Sequence, residues 1–232
     1  SRADQLFVEK IFKCARDHGA VRLRWADTLG LCDPFRVQER MERFCADFPS
    51  LIEFHGHNDL GFASANAYAA LRAGAMVSVS VNGLGERSGN AALEQLAVQA
   101  RILLGMETGI RLELLPALCQ KVARASGRPI AVDRPISGDC AFSHESGIHV
   151  DGLLKDSLSY TGIDPALFAR STSFVPGPGS GKKALIHCAA ILGISIEEER
   201  ATGLRARLYA EWEREKPNDP WALFRRVLYE ER

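Results

Sequence analysis

Apolar and polar positions alternate in two rhythms along the first half of the chain. Over residues 3–18, Phe7, Ile11, Cys14 and Ala15 recur at helical spacing and Gly19 is a natural stop, which predicts a helix with that face inward. "AVRLRWADT" then reads as a short strand ending at Thr28. "DPFRVQERMERFCADF" returns to the helical period, with Asp33 as N-cap, Pro34 as the first helical residue, and an apolar stripe of Val37, Met41, Phe44, Cys45 and Phe48. The strand "LIEFHGH", a helix from Ala63 to Ala73 closed by Gly74, and the strand "MVSVSVNG" follow. A helix with Leu93, Leu96, Ala97, Ala100, Leu103 and Leu104 on one side completes the run. These are three strand–helix units about 26–30 residues apart, a rhythm that predicts parallel strands joined by crossover helices. In such folds ligands sit at the C-terminal ends of the strands, and here each strand ends in polar groups: "ADT", "HGHND" and "NGLGERSGN".

After about residue 106 the rhythm breaks. A helix around Pro116–Ser126 leads into "RPISGDCAFSHESGIHVDGLLKD", then a Gly/Pro loop, "VPGPGSGKK", and three helical segments, the last opening on Asp219 and Pro220. The division expected is an α/β domain over 1–105 and an appended, mostly helical region over 106–232.

Composition narrows the function. With 232 residues, 46% apolar, 25% charged and a formal net charge of zero, the chain has an ordinary globular make-up. No basic block marks a nucleic acid or an anionic membrane as a partner, and no stretch approaches the ~18–20 apolar residues of a span. None of the six cysteines forms a CxxC pair, and most lie in apolar helical patterns, which reads as reduced thiols in a cytoplasmic core.

The candidate chemistry begins at "IEFHGHNDLGF". Side chains alternate along a strand, so Glu53, His55 and His57 share one face. Two neutral imidazoles about 6–7 Å apart can grip one divalent cation, with further ligands drawn from elsewhere. Asn58 and Asp59 can hold the outer ring nitrogens or cap the next helix. In "NGLGERSGNAALEQL", Asn90 stands before a helix as an expected N-cap, and the run matches neither glycine-rich nucleotide motif.

Taken in order, "ADT", "HGHND", "VNGLGERSGNAALE" and "FSHESGIHVDGLLKD" resemble the acyl-CoA-condensing synthases of the DRE-TIM metallolyase superfamily. "RLRWADTLGLCDPF" and "HESGIHVDGLLKD" look most like its homocitrate synthases of the nitrogen-fixation type. The resemblance implies a (β/α)8 TIM barrel, of which this chain holds about three strand–helix units at the C-terminal part, followed by helical subdomains. It implies a divalent metal (Mg, Mn, Zn or Fe) on His55 and His57, with Asn90 as a further ligand or near-ligand. Thr28 matches the threonine that binds the 2-oxo acid carboxylate, and Glu53 an acidic residue near the substrate pocket. His149 matches a histidine assisting proton removal, which in the family reaches into the partner subunit's site, and Tyr160 a tyrosine covering the pocket.

The activity implied is condensation of acetyl-CoA with 2-oxoglutarate to homocitrate by a homodimer, with isopropylmalate or citramalate synthesis as the alternative. Where relatives carry a Lys and a His, as in "LGKHSG", this chain has Pro176, Gly177, Pro178 and Gly179. The family's first-strand metal-binding Asp also has no counterpart, so the sequence reads as the C-terminal portion of a longer synthase. The chain alone is then expected to be inactive, to bind metal weakly and to associate. A truncated module that only dimerises is the reading from another class.

Overall fold

The computed structural model describes residues 2–49 and 51–230, which form two compact units, one reaching to Gly138 and one starting at Asp139. Among the described residues no helix is long and apolar enough to cross a membrane.

The first unit is an α/β layer built on a parallel sheet of order β1-β2-β3, as the rhythm predicted. Its strands are β1 (Leu23–Asp27), β2 (Ile52–Gly56) and β3 (Met76–Ser78). The helices are α1 (Gln5–Asp17), α2 (Pro34–Asp47), α3 (Ala63–Arg72), α4 (Leu93–Leu104) and α5 (Leu115–Ser126). Asp33 caps α2 as expected, its carboxylate accepting from the N–H groups of Phe35 and Arg36, with Pro34 directly after it. Leu23 and Trp25 of β1 and Ile52 and Phe54 of β2 point to one side of the sheet. There they pack with Val37, Met41, Phe44 and Phe48 from α2 and its end. Helix α3 is alanine-rich on its inner face, and Ala63, Ala67 and Ala70 are fully buried in the same core.

Three expectations need correction. Helix α1 forms, but its buried residue is Phe12, whose ring lies 5.2 Å from that of Phe44 and 5.9 Å from that of Phe48. Val8 and Ala15 support it, while Phe7 and Ile11 are 59% and 50% exposed. The helix carries apolar residues on two sides, and the i, i+4, i+7 set of Val8, Phe12 and Ala15 takes the core. At the far end of α4, Leu103 is exposed, not part of the inner face. Strand β3 stops at Ser78, short of the "MVSVSVNG" run. The chain leaves the ladder at a 3₁₀ turn, Val81–Gly83, because Asn82 is held elsewhere: its N–H donates to Glu94 and its side-chain amide to the Cys119 carbonyl.

In the second unit, α6 (Gly147–Lys155), α7 (Lys182–Ile191), α8 (Glu198–Glu215) and α9 (Pro220–Tyr229) dominate. Asp219 caps α9 ahead of Pro220, as predicted. Leu185, Cys188, Leu204, Leu208, Phe224 and Leu228 close a core between α7, α8 and α9. The helical reading missed a short parallel pair, β4 (Ser143–His144) with β5 (Ser173–Phe174). All six cysteines are free, but Cys14 and Cys140 are exposed, contrary to the reading of core thiols.

Candidate metal centre at the mouth of the sheet

The face of the sheet opposite the core carries its chemistry. Register sets Ala26 beside His55 and His55 beside Ser78, so the alternation of β2 places Glu53 and His55 away from Phe54. His57 lies one residue past β2, where its backbone N–H donates to the Asp27 carbonyl and it pairs with Asn90 in an isolated antiparallel bridge. The rings of His55 and His57 lie 5.0 Å apart and almost perpendicular. The Nδ1 atoms of both rings are buried without a protein partner. Burial pushes the His55 imidazole below its ordinary value, which keeps its lone pair available near neutral pH.

Asn90 is not an N-cap. The residue before α4 is Ala92, which supplies no side-chain cap; its own N–H donates to the Ser64 hydroxyl. The Asn90 amide is instead enclosed by the glycine-rich turn: it donates to the Leu84 carbonyl at 3.1 Å, and its Oδ1 is buried with no partner. A methyl group on Gly85 would stand 2.7 Å from that amide. Gly89 (φ 88°) approaches the Gly83 carbonyl so closely that a side chain there would lie 2.2 Å from its oxygen. These glycines make room for an asparagine, not a phosphate.

Two imidazole nitrogens and an amide oxygen are each buried and unpaired here, and all three are groups of a kind that can ligate a divalent cation. They are a partial set. Among the described residues no three His, Cys, Asp or Glu side chains come together, so no carboxylate balances the ion's charge.

The rim is tied by ion pairs. Thr28 is exposed just beyond β1, and its carbonyl accepts from Arg87 at 2.7 Å. Arg87 also grips Asp59 with two bonds of 2.7 and 2.9 Å, and its guanidinium holds the Asp59 carboxyl below the usual carboxylate range. Asp59 therefore does not hold a histidine ring nitrogen. Asn58 takes the helix-capping alternative, its Oδ1 accepting from the N–H of Ala63, the first residue of α3. The sequence reading missed Arg87, although its place inside "GLGERSGN" is a usable signal. Further down the face, Glu53 is 4% exposed and accepts from Arg22 at 2.8 Å and from Arg24.

In the second unit, His149 on α6 stacks on Tyr160, ring centroids 4.4 Å apart, and His144 is 6.0 Å from His149. Tyr160 adopts φ 59° and lies against Gly152, where a side chain would meet its ring at 2.6 Å. His144, Tyr160, Phe142 and Ile163 line a cavity of about 180 Å³. The "PGPGSG" loop has its own anchor: the Gly179 N–H donates to the Glu145 carboxylate at 2.7 Å, and a side chain at 177 would stand 2.5 Å from that carboxylate.

A parallel strand–helix sheet with polar groups at its C-terminal end defines the class, and comparison with known proteins supplies the family. Residues 1–122 match the HMGL-like family, and residues 136–216 match the homocitrate synthase post-HMGL domain-like family. The chain belongs to the HMGL-like family. It is 43% identical to 2-isopropylmalate synthase 2 of Caldanaerobacter subterraneus subsp. tengcongensis, over 87% of this chain and 53% of that protein. The homocitrate synthase of Frankia alni is 40% identical over 80% of this chain and 53% of its own length. For the (R)-citramalate synthase CimA of Methanocaldococcus jannaschii the figures are 36%, 90% and 43%. The chain thus spans about half the length, or less, of these relatives. An HMG-CoA lyase from Acinetobacter baumannii shares the fold, with TM-score 0.50 and 22% identity over 70% of this chain and 49% of that one.

Proposed function

We propose that the chain carries part of the active site of a cytoplasmic, dimeric synthase that condenses acetyl-CoA with 2-oxoglutarate to give homocitrate, of the nitrogen-fixation type. In this reading the three strand–helix units belong to a (β/α)8 barrel. The observation that carries it is the pair of imidazoles at the sheet mouth, 5.0 Å apart, with their Nδ1 atoms buried and unpaired.

His55, His57 and Asn90 would hold a divalent cation, whose charge polarises the keto group of a 2-oxo acid. The chain's own groups do the rest. Thr28, at the rim, orients the substrate carboxylate through its hydroxyl. In this reading His149 enters the partner subunit's site and takes a proton from the acetyl methyl group there, and the Tyr160 ring stacked on it fixes its plane. Carbon–carbon bond formation at the keto carbon and hydrolysis of the thioester complete the reaction. The relatives also favour a second reading, in which the 2-oxo acid is that of an isopropylmalate or citramalate synthase.

The test is metal-dependent binding of 2-oxoglutarate, 2-oxoisovalerate and pyruvate, followed by calorimetry with Mn²⁺, alongside free-thiol release from acetyl-CoA. The expected result is binding that requires the metal and favours 2-oxoglutarate. Because the donor set lacks a carboxylate, turnover by this chain alone is expected to be absent, and binding carries the test. Binding that ignores the metal overturns the proposal; a preference for 2-oxoisovalerate or pyruvate moves it to the second reading.

A further inference from the structure

We infer that Arg134 is a positioning residue for Asn90: acting through Glu94, its guanidinium sets the shape of the glycine-rich turn, and with it the affinity of the sheet mouth for a divalent cation. The inference rests on the metal-dependent reading above and adds a residue that acts on the site without touching it.

Connectivity is the first argument. The Glu94 carboxylate is fully buried and divides its two oxygens between two partners. Oε2 accepts the N–H of Asn82 at 3.0 Å, and Oε1 accepts Nη2 and Nε of Arg134 at 3.3 and 3.4 Å. The next residue after Asn82 is Gly83, whose carbonyl accepts the Asn90 N–H at 2.9 Å. Arg134 also abuts the turn directly. A methyl group on Gly83 would stand 3.0 Å from Arg134 Nη2 and 2.8 Å from the Asn90 carbonyl oxygen, so the guanidinium and the Asn90 backbone close on the same glycine.

Backbone shape is the second argument. Asn82 and Gly83 are both left-handed, with φ 57° and 61°. Asparagine tolerates that region but does not favour it, so the conformation has to be held. Two bonds from outside the turn hold it: the Asn82 N–H on Glu94, and the Asn82 side-chain amide on the Cys119 carbonyl at 2.9 Å. The third argument is the unpaired Oδ1 of Asn90. A buried acceptor without a partner is unfavourable, and a loose turn would shift to give it one. Glu94 opposes that shift, and a carboxylate buried so completely needs a cation beside it; Arg134 supplies the charge.

The test is Mn²⁺ affinity, read by water-proton relaxation with no 2-oxo acid present. It compares the unmodified chain with Arg134→Met, Arg134→Lys, Glu94→Gln and the Arg134→Met, Glu94→Gln double variant, all at a temperature where each is folded. Phe12→Ala, which empties the core and leaves the turn alone, is the destabilised control. Arg134→Met is expected to weaken Mn²⁺ on the order of 10-fold, as for residues that stand behind a metal ligand. Arg134→Lys recovers part of that, because the charge is kept and the fork is not. In the Glu94→Gln background Arg134→Met adds no further loss, since its effect runs through that carboxylate. Phe12→Ala keeps the parent affinity. An Arg134→Met chain that binds Mn²⁺ as the parent does overturns the inference and leaves the condensing-enzyme reading standing. Equal weakening in Phe12→Ala also overturns it, because affinity then follows overall stability. Should Arg134→Met not fold, parent affinity in both Arg134→Lys and Glu94→Gln overturns it instead. If the unmodified chain binds no Mn²⁺, or binds it equally well as His57→Ala, the underlying reading fails and the inference goes with it.

Discussion

His57 and Asn90 face each other across an isolated antiparallel bridge, and each keeps one buried polar atom without a partner. Backbone bonds on both sides lock the bridge: Asn58 N–H to the Gly89 carbonyl at 2.9 Å, and Ala91 N–H to the Gly56 carbonyl at 3.3 Å. The end of β2 and the glycine-rich turn are thus tied together on both sides of the bridge, while the buried Nδ1 of His57 and Oδ1 of Asn90 stay without a protein partner.

Replacing His57 with Ala is expected to cost little stability in the absence of metal. The lost packing is offset by removing a buried, unpaired nitrogen, whose burial costs about 1–3 kcal/mol. The response to metal should disappear. A cation at 100 times its dissociation constant adds ~2.7 kcal/mol to the folded state. Melting curves with and without Mn²⁺ check this: the unmodified chain rises in Tm, and His57→Ala does not.

Gly85→Ala should damage the same site by steric means alone. The added methyl lies 2.7 Å from the Asn90 amide, closer than any ordinary contact, so the amide or the turn must move. Overpacking of this kind costs about 1–3 kcal/mol. Urea unfolding measures that loss, and a parallel drop in Mn²⁺ affinity shows that the turn positions Asn90.

Glu94 is fully buried and holds the Asn82 N–H at 3.0 Å, with Arg134 at 3.3 Å. Arg134→Ala strands that carboxylate, and losing one partner of a buried pair costs about 3–5 kcal/mol, toward the lower end here because Arg134 is 28% exposed. Glu94→Gln keeps an acceptor for Asn82 and should cost less. Urea unfolding of both variants gives the order; an Arg134→Ala chain as stable as the parent would show that water reaches Glu94.

Burial, and then the neighbouring His149, holds the His144 imidazole below its ordinary value. On acidification the unfolded chain, with a histidine near 6.5, takes up the proton first. The contribution is harmless above that value, and stability falls as pH drops through it toward the lower folded value. Trp212 and Trp221 pack in the second unit, so in a Trp25→Phe background their fluorescence reports that unit. Its Tm should fall between pH 8 and pH 5, and His144→Gln should flatten the slope.

Much of this was legible in the sequence, and the failures share a cause. Asp33 with Pro34, the parallel strand order and the facing of His55 and His57 follow from local rules: a cap, a rhythm of elements, a period of two. What was misread depends on partners far along the chain. Asn90 looks like a cap because Asn before a helix usually is one; only Gly83, Gly85 and Gly89 folding over it show otherwise. β3 ends early because Glu94 and the Cys119 carbonyl capture Asn82. Arg87 on Asp59 and Arg24 on Glu53 join residues about 30 positions apart, which periodicity does not register.

Helix α1 offers the sharpest separation of core from surface. Its period admits two apolar faces, and the structure chooses the one with Phe12 against Phe44 and Phe48. Phe12→Ala should therefore cost about 3–5 kcal/mol, as for a buried aromatic, whereas Phe7→Ala on the 59% exposed side should stay within about 0.5 kcal/mol. Phe7 has a different consequence. With Leu6 and Ile11, 66% and 50% exposed, it forms an apolar strip on one helix, and such strips drive association. Sedimentation velocity should show self-association of the parent chain that falls in a Leu6→Ser, Phe7→Ser variant and persists in Phe12→Ala below its melting point. A chain destabilised equally by Phe7→Ala and Phe12→Ala would mean that α1 turns its other face inward in solution.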